Sequence, residues 1–112
     1  MLNELTDDNI DMILGGDRTC IFLFYSPIMP NTPNVIDVFE QFNSRFQGKI
    51  DVYICDIEKE KNKIQKYFKT PVLPAMVMLK NNNVYANIAG PVSTSSYENS
   101  IKQGIQKIIN EN

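Results

Sequence analysis

Residues 20–26, CIFLFYS, are apolar at every position except the last, and such a run of strand formers predicts a strand covered on both faces. Before it, Leu2 to Leu5 alternates like a short strand, and Thr6 then precedes Ile10, Ile13 and Leu14 at helical spacing until Gly15-Gly16, which reads as an N-capped helix with a glycine stop. After it, Thr32 can cap a helix with Pro33 at its first position. Val35, Val38, Phe39, Phe42 and Phe46 form the buried stripe of that helix, and Gly48 closes it. IDVYICDI, residues 50–57, is a second buried strand, and strand, helix and strand together predict a right-handed βαβ crossover with parallel neighbours. From Glu58 to Phe68 the chain is charged, with Ile64, Tyr67 and Phe68 as apolar contacts, so a half-exposed helix is expected. AMVMLK and VYANIA flank Asn81-Asn82-Asn83, and Asn tolerates the left-handed backbone of a tight hairpin. Ser95 and Glu98 stand at capping-box spacing, and Tyr97, Ile101, Ile105 and Ile108 make the buried face of a last helix.

The order predicts an α/β fold with a central mixed β-sheet, a parallel βαβ half followed by an antiparallel ββα half, flanked by helices. At 112 residues a single domain spanning 1–112 can bury its own core. Hydrophobic residues at 43% and charged residues at 21% exclude a disordered or fibrous chain. A net charge of −2 argues against nucleic-acid binding, which needs clustered excess Lys and Arg. No apolar run is long enough to cross a bilayer, and MLNELTDDN has neither a basic nor an apolar leader segment, so no membrane association and a cytoplasmic location are expected. With only Cys20 and Cys55 and no His, neither a disulfide framework nor a metal or cofactor site is expected.

Several pieces carry a resemblance: the triplet Phe24-Tyr25-Ser26, the QGKI turn into the next strand, Asp56 to Glu58 ending that strand, Leu73-Pro74-Ala75 before a hairpin, and Gly90 after it. Together with the element order, which covers nearly the whole chain, they resemble thioredoxin. The resemblance implies a thioredoxin fold and a cis peptide bond at Pro74. It also implies a departure at the site. Met29-Pro30-Asn31-Thr32 occupies the place of the family's Cys-Gly-Pro-Cys. Thiol–disulfide exchange needs an attacking thiolate and a resolving thiol, which a thioether and a hydroxyl do not supply. Leu23 and Ile54 stand where family members bury an Asp and a Lys that assist proton transfer. An enzyme of the family's kind is therefore not expected.

The remaining thiols do not replace the motif: Cys20 near the start of one strand and Cys55 near the end of its neighbour should lie roughly 15 Å apart. Both are expected to be small buried apolar side chains, with a monothiol sensor at Cys20 as the alternative. The resemblance brings three segments to one face: Ile28, Met29 and Pro30; Val72, Leu73 and Pro74; and Gly90, Pro91 and Val92. In the family the backbone before the cis-proline, here Leu73, pairs with an extended substrate peptide, which needs no thiol. The expected function is a redox-inactive binding module, a chaperone or assembly factor holding a protein or peptide partner at that face. Some thioredoxin-like chains without the cysteines assist maturation of hydrogenase subunits, and the LPA tripeptide and proline-rich loop are loosely similar to theirs. The alternatives are a structural subunit of a larger complex and a monothiol redox protein. Lysines 59, 61, 63, 66 and 69 are interrupted by Glu58 and Glu60 and read as a solvated face. Asp7, Asp8 and Asp11 suit the dipole of the first helix, and Asp56 and Glu58 form at most a weak carboxylate pair.

Overall fold

The all-apolar run is the centre of the sheet. In a computed structural model, which describes residues 2–29, 32–69 and 72–111 and only the backbone of residues 32 and 33, β2 (Thr19–Tyr25) has six of its seven residues buried. It lies between β3 (Ile50–Asp56), parallel to it, and β4 (Ala75–Lys80), antiparallel. β1 (Asn3–Glu4) adds parallel to β3, and β5 (Asn83–Ala89) adds antiparallel to β4. The five-stranded mixed sheet therefore runs β1-β3-β2-β4-β5.

Alternation along β2 explains why it is apolar throughout, because each face meets a separate core. Ile21 and Leu23 point to α2 (Thr32–Arg45) and α4 (Thr94–Asn110), joining Val35, Phe39, Tyr97 and Ile101. Cys20, Phe22 and Phe24 point to α1 (Ile10–Leu14) and α3 (Lys63–Tyr67), joining Ile10 and Ile64. The Phe22, Phe24 and Phe68 rings meet edge-on or tilted on this side, with centroids 5.1–6.4 Å apart.

Helix ends differ from expectation where long-range partners decide them. α3 covers only Lys63–Tyr67, because the chain leaving β3 first turns over Asp56, whose carbonyl accepts the Lys59 and Glu60 amides. The helix begins where Asp7 supplies acceptors from far away in sequence: its carboxylate takes the Asn62 amide at 3.1 Å and the Ile64 amide at 2.8 Å. Asp7 thus caps α3 and not α1. Asp11 turns the same way and accepts from Lys63 Nζ at 2.6 Å and from the Tyr67 hydroxyl at 2.7 Å. Tyr67 is 53% exposed and is not the apolar contact expected of it.

The cap of α4 is Ser93, two residues before Ser95, with its hydroxyl accepting the Ser96 amide at 3.2 Å. Glu98 pairs with Lys102 instead of closing a capping box. Gly104 is buried on the inner face of α4, while Ile105 and Ile108 are half-buried. The hairpin turn is Asn81-Asn82, both at positive φ (52° and 64°), and Asn83 already belongs to β5. α2 starts at Thr32, one residue before the Pro33 expected at its first position, and ends at Arg45, with Gly48 at φ 83° in the turn beyond. Among the described residues, no helix is long and apolar enough to cross a membrane.

Candidate functional site

Register brings three chain segments to one end of the sheet. Phe24 pairs with Ala75, and Ala75 with Ala89, so the segments after β2, before β4 and after β5 all emerge together. This is the carboxyl end of the parallel strands, where open α/β sheets place their ligands. Ile28 is 82% exposed, Val72 48% and Val92 42%, and these are large apolar side chains in water. Met29 is half-buried, its amide donating to the Ser26 carbonyl at 3.1 Å. Pro30 and Asn31 lie outside the described residues, and Thr32 is the first residue of α2. Pro91 is exposed.

The segment before β4 is the best defined of the three. Pro74 is buried and its peptide bond with Leu73 is cis. Leu73 is half-buried and packs its side chain on the Phe22–Phe24 side of the sheet. Its backbone is unused: among the described residues, neither the Leu73 amide nor its carbonyl takes part in a hydrogen bond. The next residue is fully committed. The Pro74 carbonyl accepts the Gly90 amide at 2.8 Å and lies 2.9 Å from the Tyr97 hydroxyl, which is also 2.8 Å from the Gly90 carbonyl. Gly90 holds φ 102°, and a Cβ there would lie 3.5 Å from Val72 Cγ1, so Val72 and Gly90 are neighbours. Sequence patterning placed Tyr97 only as an apolar face residue. The signal for more was its polar tip, which needs a partner when buried.

The thiols sit elsewhere. Cys20 stands opposite Asp51 and Cys55 opposite Phe24, so they occupy opposite ends of the β2–β3 ladder, both buried and free. Burial, followed by the Asp51 carboxylate, pushes the Cys20 thiol up to about 11. Burial, followed by Glu60 and Asp7, pushes Cys55 up to about 12. Neither is poised as a nucleophile, which requires a depressed pKa and access. Leu23 and Ile54 are direct partners across the same ladder, Leu23 inside the core shared with α2 and α4 and Ile54 half-buried against it. Two apolar neighbours there avoid the desolvation that a buried Asp and Lys would cost.

Other candidate chemistry is dispersed. Glu58 lies in the turn after β3, where its amide donates to Asp56 Oδ1 at 3.0 Å, so the two carboxylates do not form a strand-end pair. Lys59, Lys61, Lys63, Lys66 and Lys69 are all exposed. Among the described residues, no group of three or more His, Cys, Asp or Glu side chains could hold a metal ion. A groove of about 590 Å³, which sequence patterning did not reveal, runs along the open face of β4 and β5 and is lined by Phe68, Val77 and Val84 among others, but not by Ile28, Val72 or Val92. Leu14 at the end of α1 and Tyr67 at the end of α3 also line it. No protein-family model matches the chain, and no curated protein matches it.

Proposed function

We propose that the chain is a thioredoxin-fold domain without thiol–disulfide chemistry, acting as a chaperone or assembly factor that holds an extended segment of a protein partner at the Ile28, Leu73 and Val92 face. The strand order and directions support the fold, and the positions of Met29, Leu23 and Ile54 support the loss of chemistry. One observation carries the binding step. Among the described residues the Leu73 amide and carbonyl are without hydrogen bonds, and exposed Val72, Ile28 and Val92 stand in the segments at the same sheet end. A free donor and acceptor on one residue are what strand addition uses for affinity, and flanking apolar side chains supply contact area. Half-buried Met29 beside them adds adaptable packing.

The test is selection of short random peptides, displayed on phage, on the immobilised full chain. Ile28→Asp and Val92→Asp should each weaken the selected binders at least about tenfold, since a charge left unpaired against an apolar partner is costly. Lys66→Glu, on the lysine face, should leave them unchanged. Binders indifferent to both rim substitutions, or lost only with Lys66→Glu, would contradict the proposal.

A further inference from the structure

The buried face of α4 presents Tyr97, Ile101 and Gly104, so packing alone asks for an apolar side chain at position 97. The Tyr97 ring meets that demand, fully buried and edge-on to Phe39 at 6.2 Å. Its hydroxyl does something separate. It sits between carbonyls of two different loops, Pro74 at 2.9 Å and Gly90 at 2.8 Å. Each carbonyl already has a backbone donor, the Gly90 amide for Pro74 and the Val92 amide for Gly90, both at 2.8 Å. The hydroxyl is therefore not rescuing an orphaned acceptor. Its one proton, shared between the two acceptors, makes a second tie between the loops, anchored in the core.

We propose that Tyr97 is a positioning residue of the binding face: its hydroxyl fixes the spacing of the Leu73–Pro74 and Gly90–Val92 segments, so that the free Leu73 backbone and the Val92 side chain meet one extended peptide together. This rests on the peptide-binding reading above. Without the hydroxyl, each carbonyl keeps one donor, the ring still fills its site, and the Gly90 amide still joins the two loops. The fold survives; the spacing relaxes.

Tyr97→Phe in the full chain separates this from a purely structural role. Native-state amide exchange at Gly90 and Val92 should accelerate at least about fivefold relative to Phe22 and Leu23 in β2, and rim-selected peptides should bind at least about fivefold more weakly, the scale of one lost hydrogen bond. A structural role alone would speed all four amides by the same factor, and that result overturns the assignment. If Ile28→Asp abolishes peptide binding while Tyr97→Phe leaves it within about twofold, Tyr97 positions nothing and the binding face stands. If neither substitution weakens binding, the face is wrong and the Tyr97 assignment falls with it.

Discussion

Native Cys20 should resist thiol reagents by orders of magnitude. The thiolate is the reacting species, and a rise from 9.0 to about 11 lowers its fraction near neutral pH about a hundredfold. For Cys55, raised from 9.0 to about 12, the factor is about a thousand. Access lowers both rates further, because Cys20 is 5% exposed and Cys55 1%. The assay compares Ellman labelling at about pH 8 in the native chain and in denaturant, with Cys55→Ser isolating Cys20. Native Cys20 should label at least about a hundredfold more slowly than unfolded Cys20. The same shifts set an alkaline limit on stability. As pH rises past 9.0 the unfolded thiols release protons that the folded ones keep, so stability falls between 9.0 and about 12. The slope should reach about 1.4 kcal/mol per pH unit for each thiol between its unfolded and folded pKa. Native labelling of Cys20 within about tenfold of the unfolded rate would refute the reasoning and restore a monothiol redox function.

Asp7→Ala should cost about 1–2 kcal/mol in chemical denaturation, the value of a helix cap, because two α3 amides lose their acceptor; an unchanged midpoint would show that α3 is held by packing alone. At Gly104 a Cβ would lie 2.5 Å from Met78 Sδ and 3.0 Å from Ala86 Cβ, so overpacking of about 1–3 kcal/mol should outweigh the gain of about 1 kcal/mol in helix propensity, and a higher melting temperature for Gly104→Ala would contradict this. On the proposed reading, in which Met29 replaces the attacking thiol, insulin reduction in dithiothreitol should match the protein-free control, and a rate comparable to that of an authentic thioredoxin would remove the basis of the binding proposal.

The sheet was legible because its signals are local and strong. CIFLFYS reads as a strand buried on both sides and is one, IDVYICDI is a strand with only Ile50, Val52 and Cys55 buried, and the Asn-rich hairpin carried its own turn chemistry. What escaped was decided by partners distant in sequence. α3 starts late because Asp7, 55 or more positions earlier, caps it, and no window around residue 63 contains that information. Ser93 rather than Ser95 caps α4 because the chain enters the helix from the Gly90 loop, and three serines in a row of four residues leave patterning undecided. The site divides the same way. Ile28, Val72 and Val92 were legible as apolar residues in loops, whereas the bridge from Tyr97 to Pro74 and Gly90 depends on two loops meeting over a helix. The groove along β5 is equally nonlocal, since its lining combines Leu14, Tyr67 and Phe68 with residues of β4 and β5.

The most direct test of the central claim is amide exchange at Leu73 with and without a bound rim-selected peptide. In the free chain this amide has no hydrogen-bond partner among the described residues, so it should exchange fast. Strand addition would give it one, and saturating peptide should slow its exchange at least about tenfold while Lys66 and Val84 stay unchanged. Saturation that leaves Leu73 exchanging as in the free chain, with protection falling in β5 instead, would contradict strand addition at Leu73 and move the partner to the groove along β4 and β5.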